Sequence, residues 1–167
     1  CLVLLIGVEL LRALRFAAQN RILRKKIYLD ESTGLPNKNK CEEILSDPTP
    51  LGEEESTAIC VFDLNNLRII NNNLGHDKGD EYIRSFAEQL RLAVDPENFV
   101  GRDGGDEFIA IFQKTDHSKM RETLKKIRTQ MENYSAKHPE MPINYAAGYA
   151  ISLDFAGSTL RELFRLA

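Results

Sequence analysis

The sequence has few cysteines, no repeated segments and no excess of basic residues, and each absence narrows the possible functions. Its three cysteines (Cys1, Cys41 and Cys60) show no paired spacing, which argues against a disulfide framework or a zinc site and suits a reducing, cytoplasmic setting. The formal net charge is −3. Because a nucleic-acid surface should be basic, nucleic acid is not an expected partner. Acidic residues in a nucleotide site would instead require metal ions between them and the phosphates.

No long hydrophobic run is present either. Residues 1–8 are apolar apart from Gly7, but a membrane-spanning helix needs about 20 such residues. Six basic residues and one acidic residue lie within residues 1–26. Two interpretations stay open: these residues end a transmembrane helix that begins before Cys1, or they form an amphipathic helix that packs on a partner. The first would tether a cytoplasmic domain to the inner face of the cell membrane.

The segment of residues 13–27 has a weak coiled-coil pattern. Ala13, Phe16, Asn20, Leu23 and Ile27 follow one another at alternating spacings of three and four. Asn20 would then occupy a position where a buried asparagine selects a parallel dimer; the alternative is an ordinary surface helix. We therefore divide the chain into an N-terminal helix over residues 1–29 and one domain over residues 30–167.

The second part alternates between strand and helix patterns. A near-continuous apolar run over residues 58–62 predicts a buried central strand that ends at Asp63. A helix is predicted over residues 65–74, followed by a second helix that begins at Asp77 or Asp80. The order of helix, strand, two helices, hairpin, helix, strand and helix predicts an α/β (α+β) sandwich. Its central, mostly antiparallel sheet would be flanked by helices.

The predicted hairpin carries an unusual tip. Gly104 and Gly105 should supply the positive φ angles of a two-residue turn, and Asp106 and Glu107 follow directly. If the hairpin pairs with the central strand, Asp106 and Asp63 meet at one edge of the sheet. Carboxylates beside a helix N-terminus suit a phosphate and a divalent cation. Taken alone, Asp63 has the simpler interpretation of a helix cap.

Three segments in this order resemble the signature of the GGDEF family of diguanylate cyclases. They are residues 63–71 (DLNNLRIIN), 75–80 (GHDKGD) and 102–108 (RDGGDEF), and residues 30–38 (DESTGLPNK) resemble the family's N-terminal turn. Ser32 and Lys38 stand where Leu and Arg are usual. The resemblance covers residues 30–167 and implies a fold like the palm of nucleotidyl cyclases and polymerases. It also implies that two GTP molecules are joined into cyclic di-GMP with release of two pyrophosphates.

The resemblance assigns roles to individual residues. Asp63, the Leu64 carbonyl and Asp106 would hold Mg²⁺ or Mn²⁺, with Glu107 beside them as a further catalytic acid. The remaining assignments are phosphate binding by Asn65, Asn66, Leu67 and Arg68, and guanine binding by Asn71 and Asp80. Arg68 replaces the usual lysine, which retains the charge and changes the hydrogen-bond geometry. Helix capping is the alternative role for Asp80.

Two departures from the family pattern affect the expected function. The product-inhibition motif Arg-x-x-Asp is replaced by Asp95, Pro96, Glu97 and Asn98, so no product-inhibition site is expected. The family pattern also continues beyond Ala167 with a phosphate-binding helix and a last strand, so the domain is expected to be truncated. Two hypotheses follow: a cyclase that works as a homodimer, and an inactive domain that binds GTP or cyclic di-GMP.

Overall fold

The computed structural model describes residues 12, 14–16, 27–52 and 56–167. The apolar residues 1–8 and most of the predicted coiled coil over residues 13–27 lie outside the described residues. Within the described ranges, no helix is both long and apolar enough to cross a membrane. The elements are α1 (Lys38–Leu45), β1 (Thr57–Leu64), α2 (Leu67–Leu74), α3 (His76–Ala93), β2 (Phe99–Arg102), β3 (Glu107–Gln113), α4 (His117–Lys137), β4 (Tyr145–Ile151) and α5 (Leu160–Leu166).

The four strands form one antiparallel sheet in the order β2-β3-β1-β4. This confirms the predicted class of a mostly antiparallel sheet flanked by helices. The central strand β1 pairs with β3 from Thr57–Gln113 to Asp63–Glu107, and with β4 from Ala58–Ile151 to Leu64–Tyr145. The end of β1 therefore lies between the start of β3 and the start of β4.

Two hydrophobic cores lie on the two faces of this sheet. On one face, Phe62 and Phe108 pack with Phe86 of α3, in a cluster that also includes residues of α4. On the other face, Ile59 packs with residues of α1 and α5, among them Leu163. Because both faces are covered, β1 is apolar at nearly every position. The continuous run that predicted a buried strand thus reflects a three-layer arrangement and not parallel pairing.

The helix after β1 begins later than predicted. The N–H of Asn65 donates to the carbonyl of Asn144 at 2.9 Å, which continues the sheet for one residue past β1. Asn66 then turns the chain with a left-handed backbone (φ 68°), and α2 starts at Leu67. The prediction of a helix from residue 65 was wrong by two residues, because a distant segment takes the first N–H group.

Candidate nucleotide and metal site

The backbone positions of the three predicted acids lie at one end of the sheet. Asp63 and Glu107 are directly opposite each other in the β1–β3 pair, and the N–H of Leu64 donates to the carbonyl of Asp106 at 2.9 Å. Side chains at directly opposed antiparallel positions share one face, with Cβ atoms about 5 Å apart. The register therefore places Asp63 opposite Glu107, with the Asp106 backbone beside Leu64.

The donor set at this edge suits a cation that shares its ligands with a substrate. Within the described part of the chain, no group of three or more Asp, Glu, His or Cys side chains is arranged to hold a metal ion. Mg²⁺ in nucleotide enzymes is typically bound through one or two carboxylates, with phosphate oxygens and water completing the octahedron. Asp63, Asp106 and the Leu64 carbonyl are oxygen donors of this kind.

Neither glycine of the pair has a left-handed backbone, so the predicted positive φ angles were wrong, and Gly104 but not Gly105 lies in close contact with another side chain. The loop of residues 103–106 joins β2 to β3, and neither Gly104 nor Gly105 has a positive φ. The N–H groups of Asp103 and Gly104 both donate to the carbonyl of Glu107, at 2.9 and 3.2 Å. A Cβ atom at Gly104 would lie 2.9 Å from Oε2 of Glu107. Glycine at this position therefore lets the Glu107 carboxylate lie over the loop.

The Arg102 side chain binds backbone carbonyls of the loop of residues 103–106, a role that the sequence did not reveal. Its Nε donates to the carbonyl of Gly104 at 3.1 Å, and its Nη2 donates to that of Gly105 at 2.8 Å. Its Nη1 pairs with the Asp30 carboxylate at 3.1 Å. The guanidinium thus connects both glycine carbonyls to the N-terminal turn of the domain. The only available signal was the arginine's place directly before the glycine motif.

Asp30 is the fixed counter-ion of this arginine. Its Oδ1 also accepts hydrogen bonds from the N–H and the hydroxyl of Thr33, at 2.9 and 2.7 Å. Partial burial acts to raise the pKa of Asp30, but the Thr33 and Arg102 hydrogen bonds together outweigh it and leave the pKa below its usual value. The carboxylate therefore stays ionised beside Arg102 at neutral pH.

The predicted phosphate loop is available in part. The N–H of Asn65 is occupied by Asn144, which corrects its assignment as a phosphate donor. The N–H groups of Asn66 and Leu67 have no hydrogen-bond partner among the described residues, and they lie at the N-terminal end of α2. Arg68 is exposed on the first turn. Two backbone donors and one cationic residue therefore follow Asp63 within five positions of the chain.

The two predicted guanine-binding residues come together through a glycine. A Cβ atom at Gly79 would overlap the side-chain amide of Asn71, so this amide occupies the space that the missing side chain leaves. Asp80 is the next residue and is exposed. The N-cap of α3 is Gly75, which excludes Asp80 as a helix cap. The structure thus brings Asn71 of α2 beside the turn of α3 that carries Asp80.

Tyr82 is a second support that the sequence reasoning missed. Its side chain is fully buried, and its hydroxyl accepts from the N–H of Asn144 at 2.9 Å. The same hydroxyl lies 3.1 Å from the carbonyl of Asn65. Tyr82 lies in the helix that the sequence predicts to begin at Asp77 or Asp80. A tyrosine on a buried face needs a partner for its hydroxyl, and this signal was available.

The segment that replaces the product-inhibition motif borders a cavity of about 700 Å³. Its charged lining consists of Asp95, Glu97, Glu122, Lys114, Lys119 and Lys126. Asp95 pairs with Lys126 at 2.8 Å. No arginine lines this cavity within the described part of the chain, and one of its lysines is already paired with an acid of the segment.

The GGDEF family, described as "Diguanylate cyclase, GGDEF domain", matches residues 27–167. The chain belongs to the GGDEF family. Among curated relatives, the cyclic di-GMP phosphodiesterase PdeB of Shewanella oneidensis is 30% identical over 133 residues, which cover 80% of this chain and 15% of PdeB. The diguanylate cyclase DgcP of Escherichia coli is 30% identical over 114 residues, 67% of this chain and 33% of DgcP. The chain thus spans a minor part of these GGDEF relatives.

A solved GGDEF structure supports the fold over nearly the whole chain. The coiled coil and GGDEF domain of DgcB from Caulobacter crescentus, in complex with c-di-GMP, has a TM-score of 0.80 at 22% identity and covers 96% of this chain and 86% of its own. The GGDEF domain of DgcB alone has a TM-score of 0.70 at 24% identity, with coverage of 83% and 84%. Because both sequence identities are below 25%, these similarities establish the fold of this chain and nothing beyond it.

Proposed function

We propose that this GGDEF domain is a metal-dependent diguanylate cyclase, which condenses two GTP molecules into cyclic di-GMP and releases two pyrophosphates. The observation that carries the proposal is the meeting of Asp63, Asp106 and Glu107 at one sheet end. The N–H groups of Asn66 and Leu67, unpaired within the described residues, lie directly after it. A phosphate beside three carboxylates requires a cation, and this combination is typical of phosphoryl-transfer sites.

Each group of the site has a separate task in this proposal. Asp63, Asp106 and the Leu64 carbonyl would hold Mg²⁺ or Mn²⁺, which when bound polarises the α-phosphate, favours ionisation of the 3′-hydroxyl and neutralises the pyrophosphate. The N–H groups of Asn66 and Leu67 bind the terminal phosphates. Arg68 adds positive charge at the same end of α2.

The guanine base would be read on the α2–α3 side. The N1–H and N2–H₂ groups of guanine are donors, which the Asp80 carboxylate accepts. The Asn71 amide can donate to N3 or accept from the amino group. Because its amide lies against Gly79, Asn71 and Asp80 can act on one base.

The reaction requires two copies of the domain. The product is a two-fold ring of two nucleotides, so two sites must face each other across a two-fold axis. The three-four spacing of mostly apolar residues over 13–27 supports a parallel coiled coil that would hold the two copies together. Tethering of a cytoplasmic domain to the inner face of the membrane, through the region at residues 1–8, belongs to the same proposal.

A second candidate function is binding without turnover. It is favoured by two relatives that are named as phosphodiesterases and still match this segment. They are PdeB of Shewanella oneidensis and PdeR of Escherichia coli. Such a domain would bind GTP or cyclic di-GMP and leave GTP intact. The two candidates differ in the product formed and not in the fold.

The test is incubation of the full-length protein with GTP and Mg²⁺, followed by mass spectrometry of the products. Asp63→Ala and Asp106→Ala should each lower turnover by far more than the 10- to 100-fold typical of residues that only support a metal ligand. Asp47→Ala, which removes an exposed acid from the loop after α1, is the matched control and should retain full activity. GTP binding by the wild type without product would favour the second candidate, and near-wild-type turnover of either variant would refute the metal assignment.

A further inference from the structure

The hydroxyl of Tyr82 joins two parts of the molecule that would hold opposite ends of the nucleotide. Tyr82 lies in α3, two residues after the proposed guanine-binding Asp80. Its hydroxyl reaches the carbonyl of Asn65 at 3.1 Å, in the loop whose next two N–H groups would bind phosphate. Since the reach of a nucleotide is limited, the spacing between these two parts affects whether both ends can bind together without strain.

The hydrogen bonds around this hydroxyl form a small closed network. The N–H of Asn144 donates to the hydroxyl at 2.9 Å, and the N–H of Asn65 donates to the carbonyl of Asn144 at 2.9 Å. The hydroxyl has one proton, which it can give to Asn65 at 3.1 Å or to the Asn144 carbonyl at 3.3 Å. Helix α3, the end of β1 and the approach to β4 are thereby joined at one buried point.

The network lies next to a residue with an unusual backbone conformation. Asn66 follows Asn65 with a left-handed φ of 68°, a conformation that asparagine adopts more readily than other non-glycine residues. The Asn65 carbonyl belongs to the peptide group that begins this turn. Holding that carbonyl therefore fixes the direction of the N–H groups that follow. Burial raises the pKa of Tyr82, so its hydroxyl stays protonated and able to donate at neutral pH.

We infer that the Tyr82 hydroxyl is a positioning group that sets the distance between the guanine-binding turn of α3 and the phosphate-binding loop of residues 65–67. This inference rests on the proposed function and extends it to GTP affinity. Tyr82 itself is buried away from the nucleotide and acts only through Asn65 and Asn144. Loss of the Tyr82 hydroxyl should weaken the binding of ligands that contact both parts and leave the binding of ligands that contact one part unchanged.

The test compares Tyr82→Phe with Tyr134→Phe by calorimetry on the full-length protein. The Tyr134 hydroxyl donates to the Ser85 hydroxyl of α3 at 2.8 Å, so the control also removes a tyrosine hydrogen bond at α3, but one that involves neither residues 65–67 nor Asn144. The probes are guanosine 5′-(α,β-methylene)triphosphate, which spans both parts, and GMP, which lacks the terminal phosphates. The phenylalanine ring introduced by Tyr82→Phe would keep the same core contacts, and thermal melting verifies that both variants fold.

We expect Tyr82→Phe to lower the affinity for the triphosphate analogue about 10-fold, in the range for residues that support a ligand-binding group. Its affinity for GMP should stay within about two-fold of the wild-type value. Tyr134→Phe should leave both affinities unchanged. Equal affinity of Tyr82→Phe and wild type for the analogue would overturn the inference, and so would an equal loss for both probes. A wild type that binds neither probe would instead overturn the proposed function, and this inference with it.

Discussion

Replacing Asp30 by alanine should show how strongly the N-terminal turn supports the glycine loop. The change removes the counter-ion of Arg102 and the acceptor used by both Thr33 donors. The side chains of Arg102 and Asp30 are only 15% and 23% exposed, so solvent compensates poorly for the lost contacts. Hydrogen bonds to a charged group contribute about 1.5–3 kcal/mol each, with less for the exposed ones. We expect the free energy of unfolding to fall by about 3 kcal/mol.

The same variant has a pH signature. The pKa of Asp30 in the folded protein is below its unfolded value of about 3.9. A carboxyl with a lowered pKa contributes stability that is complete above the unfolded value and is lost as the pH falls through the folded value. The difference in stability between wild type and Asp30→Ala should therefore be constant from pH 7 to pH 5 and shrink below about pH 4.

Urea denaturation followed by circular dichroism, at pH 7, 5 and 3.5, measures this difference. Asp47→Ala is the matched control, because Asp47 also accepts a hydrogen bond from a nearby threonine N–H but is exposed and has no arginine partner among the described residues. We expect the control to change stability little. A difference between wild type and Asp30→Ala below about 1 kcal/mol at pH 7, or one that does not depend on pH, would refute the reasoning.

The remaining predictions concern the nucleotide and the dimer. GTP should be preferred over ATP by about 10⁴-fold, because adenine would place a lone pair against the Asp80 carboxylate. Asp80→Ser should relax this preference. Equal product yields from both nucleotides would show that the base is recognised elsewhere. Cyclic di-GMP should bind weakly at residues 95–98, since Asp95 and Glu97 are acids and Lys126 is paired with Asp95; calorimetry on nucleotide-blocked protein that finds tight binding lost in Asp95→Ala would contradict this. Deleting residues 1–26 should leave GTP binding intact and make the initial rate rise with the square of enzyme concentration when dilute; constant specific activity down to nanomolar concentration would refute the tether.

The sequence predicted the parts of the fold that depend on local pattern. The apolar run before Asp63 corresponds to β1, and the helix predicted after the hairpin corresponds to α4, because burial and helical periodicity are visible in neighbouring residues. The placement of the acids at one sheet end followed from the hairpin and the central strand. The chemical roles of these residues stay predictions.

The supports of the site could not be predicted in the same way, because they join residues far apart in the chain. Arg102 and Asp30 are 72 residues apart, and Tyr82 and Asn144 are 62 apart. Gly104 shows a second limit. A glycine can serve a positive φ or a close contact, and the sequence alone does not distinguish the two; the structure shows no positive φ at Gly104 and a Glu107 oxygen 2.9 Å from the place of a Cβ atom.

The residues that would touch GTP and those that support them differ in exposure. Asp63, Arg68 and Asp80 are exposed, whereas Tyr82 and Gly79 are buried. The stability of the domain therefore depends mainly on the supports, and the exposed groups can change with little effect on folding. A GGDEF domain can for this reason lose catalysis and keep its fold, so neither the fold nor the family distinguishes a cyclase from a binding module.

The acids themselves favour the cyclase. In a module that only binds nucleotide without a metal ion, Asp63, Asp106 and Glu107 would repel the phosphates that the N-terminus of α2 attracts. Three carboxylates at this edge are an advantage only where a cation lies between them and the phosphates. A cation in that place would activate the α-phosphate as well as bind it. The arrangement of charge around the end of β1 is therefore the feature on which we base the proposal of a cyclase.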